Sequence, residues 1–315
     1  MKIVLLERLG IEEEKLESYL ESFRSMEHEV LVYERNDDVL VQIEEAKDAE
    51  VLIIANMPLK GEVIQACTKL KYINVAFTGV DHVDLEMAKK CNVKVSNASG
   101  YSNDAVAELT LCMMLSLLRN FPQVEERCRL GGTKEGLVGC ELKGKTVGII
   151  GTGAIGMAVA KLCRAFGCKI IAYNGFSHKE STEEITYLPM KEMMEQADIV
   201  SLHCPVTEQS KGIINEETIS YMKPTAYLIN EARGPVVDSK ALAKALNEGK
   251  IAGACVDVFE MEPPIPKDHP LLNAKNMIVT PHIAFATKES MIKRADIIFD
   301  NLKSFLEGEQ KNVIL

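Results

Sequence analysis

Three side chains of complementary chemistry follow apolar, β-branched stretches in the last third of the sequence. Arg233 comes after Tyr227-Leu228-Ile229-Asn230-Glu231-Ala232 and before Gly234, Glu262 after Val256-Asp257-Val258-Phe259-Glu260-Met261, and His282 after Ile278-Val279-Thr280-Pro281. Each alone has an ordinary reading: a surface arginine, a solvated loop acid, a histidine satisfied by backbone. At the ends of parallel strands they become a guanidinium, a carboxylate and an imidazole opening on one crevice. Hydride transfer to a ketone needs a proton donor for the developing alkoxide, an anchor for a neighbouring carboxylate, and a group that keeps the donor charged near neutral pH. His282 fits the first task. Arg233 fits the second through a bidentate fork, and Glu262 the third through ion pairing with the imidazole.

A hydride source has its own signature. Val147-Gly148-Ile149-Ile150-Gly151-Thr152-Gly153-Ala154-Ile155-Gly156 is an apolar strand entering G-x-G-x-x-G, with a helix expected over residues 157–166. Gly151 allows the tight turn, Gly153 lets the backbone approach a pyrophosphate, and Gly156 lets the helix press on the strand. With Ala154 and Ile155, the start of the helix offers unpaired N–H groups and partial positive charge to the phosphates. An acid is expected at the end of the next strand to bond the adenosine ribose, but Asn174 stands there. An amide still bonds a diol and does not repel a 2′-phosphate, and Ser177, His178 and Lys179 follow as phosphate partners. NAD is read ahead of NADP.

The elements that must position these groups alternate. Short β-branched runs at residues 2–6, 29–33, 51–55, 72–76 and 93–96 are separated by segments of helical period, and a second series follows at 146–150, 169–173, 199–203, 226–229, 253–256 and 277–280. That alternation predicts two consecutive α/β units with parallel, doubly wound sheets. Between the series lies a long apolar helix, 104–118, expected either to be buried within the chain or to contact a second copy. The helical segment 288–306 follows the last strand and can pack on either unit; a return to the first makes that domain discontinuous.

Composition narrows the function classes. At 315 residues the chain has room for about two domains. Thirty-six basic against 46 acidic residues give a net charge of −10, which argues against nucleic-acid partners and anionic membranes. No apolar run reaches membrane-spanning length, and the N-terminus reads as a buried first strand rather than a signal peptide. Nine scattered cysteines without a C-x-x-C pair fit reduced thiols in cytoplasm, with neither a disulfide framework nor a metal site.

The sequence resembles the D-isomer-specific 2-hydroxyacid dehydrogenases. The likeness rests on Thr78-Gly79-Val80-Asp81-His82-Val83-Asp84, Ala105-Val106-Ala107-Glu108, residues 147–156, His203-Cys204-Pro205-Val206-Thr207, Asn230-Glu231-Ala232-Arg233-Gly234, Asp257-Val258-Phe259-Glu260-Met261-Glu262-Pro263 and Pro281-His282-Ile283. The resemblance implies a dinucleotide-binding Rossmann domain over residues 101–287 and a discontinuous flavodoxin-like, substrate-binding domain over 1–100 plus 288–315. It implies reversible reduction of a short 2-keto acid to the D-2-hydroxy acid, with hydroxypyruvate or glyoxylate the first choice, and catalysis by Arg233, Glu262 and His282. It places the amides of Gly79 and Val80 on the substrate carboxylate, with Tyr101 near the pocket. Asp257 matches a residue that bonds the nicotinamide carboxamide. Val106 and Thr207 match cofactor walls, and His203 and Cys204 read as strand-end packing beside the cofactor. Family members are usually homodimers formed through the cofactor domain. Two departures stand out: Asn174, and Ala284-Phe285-Ala286 after the histidine, an aromatic wall for the pocket. The competing reading is a non-catalytic, corepressor-like protein that senses dinucleotide, against which the complete Arg233, Glu262 and His282 set argues.

Overall fold

Short β-branched runs become strands, and the segments of helical period become helices laid on them. The computed structural model describes residues 1–173, 175–176 and 179–315. The chain divides into two compact units, Met1–Ser102 with Ala286–Leu315, and Asn103–Phe285.

The first unit opens with β1 (Lys2–Leu5), α1 (Glu13–Arg24), β2 (Glu29–Val32), α2 (Val39–Ala46), β3 (Val51–Ile54), α3 (Gly61–Ala66), β4 (Tyr72–Val75), α4 (Leu85–Lys90) and β5 (Lys94–Asn97). Its five strands are parallel and ordered β2-β1-β3-β4-β5, the flavodoxin-like winding. β3 and β4 are buried along their whole length, which is why they read as unbroken apolar runs: helices cover both faces of a parallel sheet.

The second unit holds α5 (Asn103–Leu118), α6 (Phe121–Arg129), β6 (Thr146–Ile150), α7 (Ala154–Ala165), β7 (Lys169–Tyr173), β8 (Thr186–Leu188), α8 (Met190–Gln196), β9 (Ile199–Leu202), α9 (Glu216–Ser220), β10 (Tyr227–Asn230), α10 (Ser239–Asn247), β11 (Gly253–Val256) and β12 (Met277–Val279). The sheet is parallel in the order β12-β11-β10-β9-β6-β7-β8, so the winding reverses between β6 and β9. That reversal is the switch point at which dinucleotides bind in sheets of this kind. β8 is not signalled in the sequence: it has three half-buried residues on the sheet edge, too short to show alternation. α7 starts at Ala154, three residues earlier than the period suggests, because Gly153 serves as its cap. α5 is neither fully buried nor free. Met113, Met114, Leu117 and Leu118 join a core with Val147, Ile149 and Val159, while Glu108 and Cys112 face solvent.

The last helix, α11 (Lys288–Leu306), belongs to the first unit. Its start is closed by a capping box between Thr287 and Ser290. Asn74 Nδ2 donates to the Ile298 carbonyl at 2.8 Å, Asn301 Nδ2 to the Asn97 carbonyl at 2.9 Å, and Phe305 stacks on Tyr72 at 4.2 Å. Burial of Ile298, Phe299 and Leu302 is worth on the order of 6 kcal/mol to that docking.

Candidate active site

One row of residues sets the site's geometry in the second unit. Ile150, Leu202, Asn230, Val256 and Val279 lie side by side across β6, β9, β10, β11 and β12. Because the strands are parallel, the next residues (Gly151, His203, Glu231, Asp257 and Thr280) leave the sheet at one edge, its carboxyl end. Arg233, Glu262 and His282 follow in the loops of three adjacent strands.

The glycine turn fits a dinucleotide. Gly151 has φ +102°, and a Cβ there would lie 2.6 Å from the His203 backbone; a Cβ on Gly156 would lie 2.1 Å from the Gly151 carbonyl. A Cβ on Gly153, by contrast, would point into open space, with nothing within 4 Å. That space lies at the N-terminus of α7, which has no side-chain cap, so its first N–H groups are left for phosphate. Beside it is a cavity of about 400 Å³ lined by Thr152, Gly153, Tyr173, Lys179, His203 and Thr207 among others. Lys179 Nζ donates to the Thr152 carbonyl at 2.9 Å, and no acid is among the described lining residues. Asn174, Ser177 and His178 lie outside the described residues. Val106 is not part of this cavity wall; it is buried in α5, its carbonyl accepting from Thr110. His203 Nε2 is 2.9 Å from Ser201 Oγ, and burial pushes its imidazole down to about 4, so it is neutral. Burial likewise pushes the Cys204 thiol up to about 11, which leaves no thiolate for nucleophilic chemistry.

At the other side of the switch point, the Glu262 carboxylate oxygens lie 2.9 and 3.0 Å from His282 Nδ1. That contact orients the ring and leaves Nε2 as the nitrogen facing away from the acid. His282 has φ +59°, in the left-handed region that non-glycine residues rarely adopt. Asp257 holds it there. Its carbonyl accepts the His282 N–H at 2.8 Å, and its fully buried carboxylate accepts the Ile283 and Ala284 N–H groups at 2.8 Å each and the Thr280 hydroxyl at 2.6 Å. This clasp goes beyond the carboxamide contact expected of Asp257, because the sequence does not show which amides will converge on it. The Phe285 ring stands edge-on to the imidazole at 5.3 Å.

Arg233 sits on a turn fixed by Asn230, whose Oδ1 accepts the Ala232 N–H at 3.1 Å and whose Nδ2 donates to the Arg233 carbonyl at 3.0 Å. Gly234 follows because a Cβ there would fall 1.9 Å from the Phe259 carbonyl. Gly79, Val80 and Tyr101 belong to the first unit. Gly79 and Val80 lie in the loop after β4, and Tyr101 is buried beneath the Arg294 guanidinium at 5.8 Å. Glu231 drew no role from the sequence, and the one available signal was an acid amid apolar residues at a strand end.

Comparison with known proteins adds to this geometry. Residues 111–284 match the family model described as D-isomer specific 2-hydroxyacid dehydrogenase, NAD binding domain. The chain is similar to a glyoxylate reductase of Thermofilum pendens, 39% identical over 295 residues, covering 89% of this chain and 86% of that one. It is similar to a hydroxypyruvate reductase of Blautia hydrogenotrophica, 34% identical over 296 residues, covering 91% and 92%. Among solved structures, an acyclic imino acid reductase in complex with NADPH and D-Arg has a TM-score of 0.91 at 29% identity over 100% of both chains.

Proposed function

We propose that this chain, which belongs to the D-isomer specific 2-hydroxyacid dehydrogenase family, reduces a short 2-keto acid of the glyoxylate or hydroxypyruvate type to its D-2-hydroxy acid. At the level of the family it is an NAD(P)-dependent oxidoreductase. The observation that carries the finer reading is the His282–Glu262 pair, held on a clasped left-handed turn along the same sheet edge as the glycine cradle.

A dinucleotide held by its pyrophosphate at that cradle would supply the hydride from its nicotinamide. Arg233 takes the substrate carboxylate in a bidentate fork and so fixes which carbonyl face is presented. His282 gives the Nε2 proton to the oxygen as negative charge develops, and Glu262 balances the imidazolium through Nδ1. Gly79, Val80 and Tyr101 are assigned to the substrate on the family resemblance. Lys179 is the one charged group among the described lining of the cofactor cavity, which favours acceptance of a 2′-phosphate and hence of NADPH alongside NADH. The relatives' names support a small keto acid. We also read the protein as a cytoplasmic homodimer: its nine cysteines are unpaired thiols, and residues 121–140, including the exposed Phe121, Leu130 and Val138, contain no buried side chain, as a surface awaiting a second copy would.

A panel of 2-keto acids assayed with NADH and NADPH tests the reading. Turnover is expected to be greatest with glyoxylate or hydroxypyruvate. His282→Ala should lower kcat by about 10²–10⁴-fold while the NADH Kd, measured by fluorescence titration, stays nearly constant. Wild-type turnover in His282→Ala would refute the assignment, and tight dinucleotide binding without turnover on any keto acid would favour the sensor.

A further inference from the structure

The turn that carries Arg233 is fastened by a carboxyl group that the reaction above does not use. Glu231 follows β10, is 7% exposed, and places Oε2 2.6 Å from Thr110 Oγ1 on α5. The same hydroxyl lies 2.7 Å from the Val106 carbonyl, one helical turn back. A threonine hydroxyl has a single proton, and a backbone carbonyl can only accept. If Glu231 were ionised, two acceptors would compete for one hydrogen, and one of the short contacts would set oxygen against oxygen. A protonated Glu231 satisfies both: the acid donates to Thr110, and Thr110 donates to Val106.

The surroundings agree. Glu231 Oε1 is buried with no hydrogen-bond partner among the described residues, a costly position for a charged oxygen. Among the described residues, the groups acting on Glu231 are Asp257, just past β11, the Cys255 thiol on β11 and the neutral Thr110 on α5, and none of these is a cation. Burial, the largest influence, pushes the Glu231 carboxyl up to about 8 against the opposing pull of the Thr110 hydroxyl, with the Asp257 charge adding to the rise.

We propose that Glu231 is a positioning residue for Arg233: as a neutral acid it ties the arginine-bearing turn to α5, and in its ionised form it frees that turn and weakens the hold on the keto acid's carboxylate. Asn230 grips the turn from within, and Glu231 is its tether to the neighbouring helix. The inference rests on the reading of Arg233 as the carboxylate anchor.

The experiment follows KM for glyoxylate, kcat and NADH Kd across pH 6–10 in the wild type, Glu231→Gln, Glu231→Ala and Arg233→Ala, together with infrared spectra of the wild type and Glu231→Gln. Above the ionisation of Glu231, KM in the wild type should rise about tenfold more per pH unit than in Glu231→Gln, any contribution of the His282 pair being common to both. At pH 7, Glu231→Gln should keep KM within about threefold and Glu231→Ala should raise it about tenfold, with NADH Kd unchanged throughout. The carbonyl stretch of a buried protonated carboxyl should be present in the wild type at pH 7 and absent from Glu231→Gln. Equal alkaline slopes in the wild type and Glu231→Gln overturn the proposal, as does a missing infrared band; both readouts hold even if Glu231→Ala fails to fold. An unchanged KM in Arg233→Ala would instead remove the anchor reading itself.

Discussion

Within a few residues of one another in the chain, Glu231 and Arg233 answer to opposite demands: one must stay uncharged and buried, the other charged and presented. The cost of the first falls on stability. Between the ordinary carboxyl value of 4.5 and about 8, the folded chain keeps on Glu231 a proton that the unfolded chain has released. Stability therefore falls as pH rises through that window and stops falling above it. Glu231→Gln has no proton to hold, so thermal melts should show it more stable than the wild type by several kcal/mol at pH 8, converging with the wild type below about pH 4.5. A constant offset across that range would refute the assignment. Arg233, Glu262 and His282 could be singled out in the sequence because each lies within a few residues of the end of a β-branched run that reads as a strand. Glu231 was legible only as an acid near a strand end, and Asp257 drew its expected carboxamide contact from the family resemblance alone. What they do depends on partners such as Thr110, 121 positions away, or Ala284, 27 positions away, which spacing does not reveal.

The glycine turn shows at the level of elements how differently three identical residues can be constrained. Gly156 presses α7 on the turn before it, whereas Gly153 faces open space at φ −76°, which alanine tolerates. Gly153→Ala should therefore melt like the wild type and lose dinucleotide affinity by about 10²-fold, because the new methyl occupies the pyrophosphate's place. Gly156→Ala should lower the melting temperature as well, since its Cβ would meet backbone. Calorimetry with NADH titration separates the two, and a Gly153→Ala protein of unchanged affinity would move the phosphate site elsewhere. The alternation of strand and helix was readable because parallel strands are buried on both faces. β8 was not, since an edge strand of three half-buried residues carries no such pattern. The start of α7 was misplaced because glycines conceal a helix whose first turn exists to leave its N–H groups open.

For the molecule as a whole, the homodimer reading rests on residues 121–140, and Phe121, 61% exposed on α6, is its most direct probe. Phe121→Asp should shift the sedimentation equilibrium from dimer toward monomer with little change in the far-ultraviolet circular dichroism; a wild type that sediments as a monomer would refute the reading. The acidic balance and two-unit organisation could be read from the sequence, but periodicity alone left the destination of residues 288–306 open, because an amphipathic helix suits either sheet; only the family resemblance assigned them to the first domain. The structure places it against β4 and β5, where Asn74, Asn97 and Tyr72 wait for it. This has a consequence for biosynthesis. Residues 1–102 lack the wall they need until residues 288–306 have been made, while residues 103–285, synthesised in between, carry what their own unit requires. In the nascent polypeptide, residues 103–285 are thus expected to mature ahead of residues 1–102, which stay open until α11 emerges to close them.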